Sequence, residues 1–510
     1  MDFRKGLRRR LAVVFAMAAA LFVLIESASA LYGSSLGLYF MRIPSVFFDS
    51  LPNSLPTRTP IPNPVAPPYS LQIGVEAIGR LFSGSELLMH VQDSGVSHVR
   101  LNGRIAWAEL QPIEDGPIDW TPLSAFEQEL LALHSAGLSA GLSAGVQPIV
   151  IVDEPPIWAR TNVDWKCSGI RADKVGRFAE FMHQLVQRYS QPPFEVRIWE
   201  LGNEPDIDPR QVSKNSVFGC WGNWDEAYYG GRSYGEMLKV VSPRIRAADA
   251  KAEIWIGGLL LDRPDSNIPN QSRPELFLQG ILEAGAGNDF DAVPFHFYPF
   301  YSNDVTLDYS HVGWSAWGGG LVGKAFFLRS IMAQYGVEKP LHLDETALVC
   351  PNHEPAYLSC TPPVSGFYIA AARYAARAAV QCAVAGIHSL TWYVVDEGGW
   401  WNSGLYDTAG QPRLVQRALR TAAANLQGIA VEGATTAYGP HVEAYSFRRS
   451  DQKQILVLWS HTESAVVVPI APDRFLQAFD MSGDSLTPTM PQSDWLVTVG
   501  PNPVYIVLQP

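Results

Sequence analysis

Two strand-like segments of this sequence end in acidic residues, and that placement indicates acid–base chemistry. The apolar run FEVRIWEL stops at Asn203, Glu204 and Pro205, and the run PLHL stops at Asp344 and Glu345. No lysine, histidine or cysteine stands beside Glu204 to suggest a metal site or a nucleophilic triad. A carboxyl group in this setting needs a partner. If a second carboxyl group lies nearby, one carboxyl group of the pair can act as the acid and base and the other as the nucleophile.

The elements that must position these residues are eight short apolar runs that alternate with helical segments from residue 71 onward. The runs are SLQIGVEAI, SHVRLNGRIAW, VQPIVIVD, EVRIWELGNE, AEIWIGGLLL, FDAVPFHFYP, PLHLDETAL and HSLTWYVVD. Regular alternation implies parallel pairing with right-handed crossovers, and eight units predict an α/β fold, a closed (β/α)8 barrel. An open doubly wound sheet is the alternative. It is disfavoured because the first turn has no glycine-rich fingerprint and polar residues end many strands.

In a barrel, the functional site lies at the carboxyl ends of the strands. The residues predicted there are Arg100 on the second strand, Asn203 and Glu204 on the fourth, His296 and Tyr298 on the sixth, Asp344 and Glu345 on the seventh, and Trp392 on the eighth. Glu204 and Glu345 would face each other across the mouth of the barrel. Because side chains alternate along a strand, only one of Asp344 and Glu345 is expected to face the mouth.

The motifs WELGNEP and LDET, with an HFY strand between them and a TWY strand after them, resemble the retaining glycoside hydrolases of clan A. The resemblance covers residues 71 to 428, and the Asn-Glu-Pro motif is its most specific part. The layout looks most like the cellulase-like and the β-xylosidase/iduronidase-like branches. The order Asp344-Glu345-Thr346 departs from the family, where a threonine often precedes the nucleophile and an aromatic residue often follows it. This departure bears on sugar specificity more than on mechanism.

The resemblance implies a role for each residue at the predicted mouth. Glu204 would be the acid/base, and Asn203 would hydrogen-bond the 2-hydroxyl group of the sugar. Glu345, favoured over Asp344 by the family match, would be the nucleophile. By the same match, Arg100 and Tyr298 would hold and polarise the nucleophile, His296 would bind near it, and Trp392 would stack beneath the sugar ring.

The chemistry of glycoside cleavage agrees with these roles. An oxocarbenium-like transition state needs a proton on the leaving oxygen and negative charge under the anomeric carbon, which two carboxyl groups about 5–5.5 Å apart supply with retention of configuration. Arg100 should keep Glu345 ionised, and the charge of Glu345 should raise the pKa of Glu204. We expect a hydrolase of a β-linked glycoside or polysaccharide, without cofactor or metal. The alternatives are a retaining hydrolase of an α-L-sugar such as iduronate, and a non-catalytic carbohydrate-binding surface protein.

Composition limits the partners. The formal net charge of −12 and the lack of basic runs beyond the first ten residues argue against nucleic acid as a partner. The 15 Trp, 19 Tyr and 23 Phe residues exceed ordinary core needs and favour a groove for a carbohydrate ligand.

The chain is expected to begin with export and linker segments. Basic residues in the first ten positions precede the apolar segment Leu11 to Ile25 and an A-x-A ending, which predicts a signal peptide over residues 1–30. An uncleaved membrane tether is the alternative, and either would make the protein secreted or extracytoplasmic. Residues 31–70 predict a proline-rich linker. The catalytic domain should span residues 71–428, and alternating short strands predict an antiparallel β-sandwich over 429–510.

In an oxidising compartment, the cysteines should form disulfides. Cys350 and Cys360 bracket a polar loop and are predicted to pair. Cys167 and Cys220 could pair if their loops meet. Cys382 lies in an alanine-rich helical segment and is expected to be a buried free thiol. No cysteine or histidine cluster has the spacing of a zinc site.

Overall fold

A computed structural model of the 510-residue chain describes residues 71–139, 145–265, 273–301, 312–350, 365–396, 398–462, 464–490 and 493–510. The predicted signal peptide and linker, residues 1–30 and 31–70, lie outside these ranges. None of the helices in the described ranges has the length and apolar character needed to cross a lipid bilayer.

Eight parallel strands form the barrel that the sequence predicted. They are β1 (Gln72–Ala77), β2 (His98–Ala106), β3 (Gln147–Asp153), β4 (Ile198–Asn203), β5 (Glu253–Gly258), β6 (Val293–Phe297), β7 (Leu341–Thr346) and β8 (Ser389–Trp392). Their order in the sheet is β5-β4-β3-β2-β1-β8-β7-β6. Parallel bridges from Trp255 to Ala292 and from Leu259 to Phe295 join β5 to β6, so the sheet closes on itself.

A helix follows each strand and packs on the outside of the barrel. The helices are α1 (Glu86–Asp93), α2 (Ser124–Ser139), α3 (Val175–Tyr189), α4 (Gly231–Ala248), α5 (Phe277–Glu283), α6 (Leu321–Gln334), α7 (Ser365–Val384) and α8 (Leu414–Leu426). In α3, Phe178, Met182, Leu185 and Tyr189 recur at helical spacing and are buried. An apolar stripe of α3 therefore faces the strands, as an amphipathic pattern requires.

The interior of the barrel is polar even below the mouth. The Nε2 atom of His98 on β2 lies 2.8 Å from the Oγ1 atom of Thr391 on β8. This contact passes inside the barrel across β1, the strand between β2 and β8 in the sheet. A side chain at Gly74 of β1 would place its Cβ 2.1 Å from the same Nε2 atom, so only glycine fits there. His342 on β7 contacts Ser389 Oγ at 2.8 Å. Burial lowers the pKa of His98 to about 4 and keeps its ring neutral.

The C-terminal strands form the predicted antiparallel sandwich. They are β9 (Ala430–Ala434), β10 (Val442–Arg448), β11 (Gln454–Ser460), β12 (Val466–Ile470), β13 (Phe475–Asp480), β14 (Trp495–Val499) and β15 (Val504–Leu508). Five of them form a sheet of order β13-β15-β11-β10-β9, and β12 pairs with β14. Along β11, Leu456 and Leu458 face the two-stranded sheet, while Val457 and Trp459 join the core of the barrel. The guanidinium of Arg377 on α7 lies 5.3 Å from the ring of Trp459.

Cys167 and Cys220 form a disulfide between the loops after β3 and β4, as the sequence suggested. Cys382 is buried and free in α7, which also agrees with the prediction. Cys350 is disulfide-bonded, and its predicted partner Cys360 lies outside the described residues.

Candidate active site

Arg100 is the centre of a buried polar network at the mouth of the barrel. Its Nε and Nη2 atoms donate to the two carboxylate oxygens of Glu200, at 3.0 and 2.7 Å. Nη2 also donates to Asn203 Oδ1 at 2.7 Å. Nη1 donates to Glu76 Oε2 at 2.6 Å and to Glu345 Oε2 at 2.7 Å. All five N–H groups of the guanidinium are therefore used.

Glu345 lies between Arg100 and Tyr298. The Tyr298 hydroxyl donates to Glu345 Oε1, while Arg100 holds Oε2. The side chain of Glu345 is 9% exposed, so it reaches the surface of the mouth while Arg100 stays fully buried. Both oxygens of this carboxyl group are therefore fixed in orientation, which is what a positioned nucleophile requires.

Glu204 stands opposite Glu345 at the end of β4. Its φ angle is +48°, and its backbone N–H donates to Gly258 O at 2.9 Å. The left-handed turn aims the side chain at His296, whose Nδ1 lies 2.9 Å from Glu204 Oε1. One oxygen from each of Glu204 and Glu345 and a ring nitrogen of His296 lie within 4.8 Å of one another. The structure thus brings the two predicted carboxyl groups together.

The end of β5 leaves room for the His296 ring. A Cβ atom at Gly258 would lie 2.3 Å from His296 Nε2 and 2.7 Å from Asp344 Oδ2, so a side chain there would displace both groups. Beneath the ring, Lys324 Nζ on α6 donates to the carbonyl oxygens of His296 and Leu260, both at 2.7 Å. Burial lowers the pKa of His296 well below its usual value, so the imidazole is neutral.

Burial dominates the ionisation of both glutamates. It raises the pKa of Glu204 well above its usual value, and the charge of Glu345 raises it further, as expected. Burial together with the charge of Glu76 raises the pKa of Glu345 to about 8, against the opposing effects of Arg100 and Tyr298. Arg100 was expected to keep Glu345 ionised; it does lower the pKa of Glu345, but burial and the charge of Glu76 outweigh it, because the single guanidinium is shared among three hydrogen-bonded carboxyl groups.

Asp344 also approaches the network, contrary to the expectation that only one of the two acidic residues on β7 would face inward. Its Oδ2 lies 3.5 Å from Arg100 Nε, and its Oδ1 lies 3.5 Å from His296 Nε2. The pairing of β7 with both neighbours shifts register in this part of the strand, which breaks simple alternation. Asp344 is fully buried beneath Glu345, and burial raises its pKa well above its usual value.

Trp392 does not reach the mouth, so its predicted position beneath a sugar ring is wrong. It is fully buried; its indole N–H donates to Ser403 O at 2.8 Å, and its ring centroid lies 6.1 Å from that of Tyr374 on α7. Since Thr391 points into the barrel, alternation turns Trp392 outward. The next residue, Tyr393, faces the mouth. Its ring packs edge-on to Tyr298, at a centroid distance of 5.9 Å.

Several residues of the site were missed or undervalued in the sequence. Glu76 on β1 and Glu200 on β4 both bind Arg100, and each sits an even number of residues from another inward-facing position. Period-two alternation could have identified them. Asp396 accepts the backbone N–H groups of Ile78 and Gly79 at 2.8 and 2.6 Å, so it stabilises the loop after β1.

Glu204, His296 and Glu345 are close enough to act together as metal ligands. However, Arg100 and Tyr298 already occupy the two oxygens of Glu345, and a guanidinium 2.7 Å away opposes a cation. The arrangement is better suited to proton transfer and nucleophilic attack than to metal binding.

No protein-family model and no curated protein matches this chain. Solved structures do. A family 39 glycoside hydrolase from the gut symbiont Bacteroides cellulosilyticus WH2 has a TM-score of 0.61 and 16% identity, covering 86% of this chain and 81% of that one. A GH30 endoxylanase from Clostridium papyrosolvens C71 has a TM-score of 0.56 and 14% identity, covering 88% and 98%. A GH39 β-xylosidase from Caulobacter crescentus has a TM-score of 0.53 and 16% identity, covering 88% and 97%.

These similarities confirm the predicted resemblance at the level of the fold. The chain shares the barrel architecture of glycoside hydrolase families 39 and 30, and the matches extend over most of the chain. At this level of identity, the activity has to be argued from the site itself.

Proposed function

We propose that the protein is a retaining glycoside hydrolase that cleaves a β-linked glycoside or polysaccharide by double displacement. The observation that carries the proposal is the approach of Glu204 and Glu345, whose carboxyl oxygens lie within 4.8 Å across the mouth. Retaining enzymes place their two carboxyl groups about 5–5.5 Å apart, whereas inverting enzymes need about 6.5–9.5 Å to admit a water molecule.

In the first step, a carboxylate oxygen of Glu345 attacks the anomeric carbon while Glu204 donates its proton to the departing glycosidic oxygen. The product is a glycosyl ester of Glu345 and a Glu204 carboxylate. In the second step, Glu204 takes a proton from water, whose oxygen attacks the anomeric carbon and releases Glu345. Two inversions at one carbon give net retention. The burial and charges that keep Glu204 protonated at rest suit it to this exchange.

The surrounding residues have complementary roles in this proposal. Arg100 and Tyr298 orient Glu345, and His296 orients Glu204. Because Arg100 occupies Asn203 Oδ1, the Asn203 amide is left with its Nδ2 as a donor for a sugar hydroxyl. Tyr393 takes the place predicted for Trp392 as the aromatic wall of the site.

We infer that the sugar beside Glu345 is neutral, which disfavours the iduronate alternative. A carboxylate on that sugar would need a cation, yet the cations acting on the mouth carboxyl groups are engaged. Arg100 is saturated; Lys324 Nζ donates to two backbone carbonyls, and Lys166 pairs with Glu154 at 2.8 Å. Between residues 71 and 428, the sequence outside the described ranges contains no lysine or arginine. An anion would thus meet Glu76, Glu200 and Glu345, three carboxyl groups that already share the single charge of Arg100.

The test of the catalytic roles uses Glu204→Gln and Glu345→Gln on a panel of aryl β-glycosides, with azide as an external nucleophile. Glu345→Gln should be inactive, and Glu204→Gln should form a β-glycosyl azide of retained configuration from substrates with good leaving groups. The matched control is Glu129→Gln, since Glu129 is also fully buried and paired with arginines but belongs to α2, away from the mouth. Parent-like activity in both active-site variants would reject the pair.

We further propose that the mature protein is extracytoplasmic, through the N-terminal signal or tether predicted from the sequence. The Cys167–Cys220 disulfide supports this, because disulfides persist in oxidising compartments. Fractionation of the expressing cells and N-terminal sequencing of the recovered protein would separate a cleaved signal, with a start at residue 31, from an uncleaved tether. Recovery only from the cytoplasm with an intact N-terminus would contradict export.

A further inference from the structure

One nitrogen of Arg100 serves two acidic side chains. The two hydrogens of Nη1 go to Glu345 Oε2 at 2.7 Å and to Glu76 Oε2 at 2.6 Å. Glu76 is fully buried on β1, and its other oxygen accepts from Asn102 Nδ2 at 3.1 Å. Glu76 has no role in the catalytic steps proposed above. It nevertheless accepts a hydrogen bond from the same nitrogen of Arg100 as Glu345 does, and Asn102 fixes its other oxygen.

The effect of Glu76 on Glu345 has to be weighed against every charged group around that carboxyl group. The groups that face it are Glu76 on β1, Arg100 on β2, Glu200 on β4, His296 on β6 and Asp344 on β7, together with Glu204, Tyr298 and Tyr393, which directly follow β4, β6 and β8. His296 is neutral and both tyrosines are protonated. Arg100 is therefore the cation that faces Glu345 among the described residues, and Glu200 binds it through both of its oxygens.

We propose that Glu76 is a positioning residue for the nucleophile. Glu76 shares Nη1 of Arg100 with Glu345 and so limits how far the guanidinium neutralises the carboxylate of Glu345. The inference rests on the proposed function. When Glu345 forms a bond to the anomeric carbon and the glycosidic bond breaks, the proton of Glu204 leaves with the departing oxygen. The negative charge then resides on Glu204 and Glu345 is a neutral ester. Repulsion between Glu76 and Glu345 ends at this step, while Glu76 and Glu200 keep Arg100 in place.

This arrangement has a kinetic signature that a structural role would not have. Burial raises the pKa of Glu76, while the charge of Arg100 and the hydrogen bonds from Arg100 and Asn102 oppose that shift and favour the charged form. With Glu76 charged, Glu345 ionises at higher pH and is a more basic nucleophile than it would be alone. Glu76→Gln keeps the shape and removes the charge. The acid limb of the rate profile should move down by about 1–2 pH units, as expected for one charge at this range in a partly screened site. The plateau rate at higher pH should fall several-fold because the nucleophile is less basic.

The experiment measures covalent labelling of the full chain by 2,4-dinitrophenyl 2-deoxy-2-fluoro-β-glucoside and by the corresponding β-xyloside. Such reagents require the nucleophile and have a leaving group that needs no acid, so the rate against pH reports on Glu345. Mass spectrometry of peptides identifies the labelled residue. Glu129→Gln is the control, because it removes a buried carboxylate that binds Arg104 and Arg80 instead of Arg100.

The expected result is an acid limb displaced to lower pH in Glu76→Gln and unmoved in Glu129→Gln. If Glu76→Gln does not fold, Asn102→Ala, at a partly exposed position, should move the limb in the same direction by less, since Glu76 loses a donor to its charged form. An unmoved limb, or a rate lowered equally at every pH, overturns the role of Glu76 while labelling at Glu345 still supports the proposed function. A parent protein that labels with neither reagent overturns both.

Discussion

Trp392 and Tyr393 are adjacent in the chain, but their rings lie on opposite sides of the barrel wall. Trp392 is fully buried against Tyr374 of α7, whereas Tyr393 packs edge-on to Tyr298, which holds Glu345. Trp400 completes this aromatic corner, with its ring centroid 5.3 Å from that of Tyr298 and 6.4 Å from that of Tyr393. At the end of the last barrel strand, one of two neighbouring aromatic residues thus packs against a helix and the other lines the mouth.

Substitution of the two residues should therefore have different effects. We expect the Tyr393 hydroxyl to hydrogen-bond the bound sugar, so Tyr393→Phe should lower kcat/KM about tenfold with little change in stability. Trp392→Phe is expected to lower the free energy of unfolding by about 2 kcal/mol through a cavity and the lost bond to Ser403, with kcat/KM nearly retained. Urea unfolding and steady-state kinetics on both variants check this. Equal losses of activity would show that Trp392 also shapes the mouth.

The acidic mouth should discriminate between neutral and anionic sugars. We expect an aryl β-glucoside to be cleaved at least about a hundredfold faster, in kcat/KM, than the matched β-glucuronide, since like-charge contacts cost several kcal/mol. The methyl ester of the glucuronide has similar size without the charge, so it should recover much of the rate. Aryl α-L-iduronide serves as the third substrate. Turnover confined to the iduronide would contradict both the neutral sugar and the β configuration.

The Cys167–Cys220 disulfide should stabilise the loop beside Glu204. It closes a sequence separation of 53 residues, and Gly219, next to Cys220, donates its N–H to Asn203 O at 3.1 Å. The double variant Cys167→Ser/Cys220→Ser is expected to lose about 2–4 kcal/mol of unfolding free energy. KM should rise because Asn203 is less well fixed. Calorimetry and kinetics test the two parts separately, and an unchanged KM would confine the disulfide to a stabilising role.

The buried histidines of the barrel interior should make the fold sensitive to acid. Burial lowers the pKa of His98 from 6.5 to about 4, so its neutral form is favoured in the folded state. This contribution to the free energy of unfolding is complete above pH 6.5 and is lost as the pH falls toward about 4, and it amounts to about 3 kcal/mol. His98→Gln removes the titration. The parent should lose stability relative to this variant across that window; parallel curves from denaturant unfolding would contradict the assignment.

The fold and much of the site could be predicted because they depend on local patterns. Strand and helix periodicity identified the barrel, and the motifs around Asn203, Glu204 and Glu345 placed three residues that the structure brings to one network. The failures have one physical origin. Which side of a strand faces inward depends on its pairing: a register shift on β7 breaks the alternation there, whereas on β8 regular alternation places Thr391 inside and Trp392 outside. No local pattern encodes these, so Asp344 and Trp392 were misplaced.

The sequence also did not predict that three carboxyl groups share the guanidinium of Arg100. Its contacts with Glu76, Glu200 and Glu345 join strands separated by up to 245 positions, and their competition for one guanidinium depends on distances of a few tenths of an ångström. A motif can identify a cation near a nucleophile. It cannot show how many other acids bind that cation.

The two faces of the C-terminal sheet contact different neighbours, and this has a consequence for how the molecule unfolds. Val457 and Trp459 of β11 belong to the same apolar core as the barrel, while Leu456 and Leu458 belong to the sandwich. Unfolding of either part exposes apolar side chains of the other to water. The barrel and the sandwich should therefore unfold together in a single cooperative transition. A barrel shortened at residue 428 would leave α7, with Arg377, uncovered, and we expect it to accumulate as aggregates instead of as a smaller enzyme.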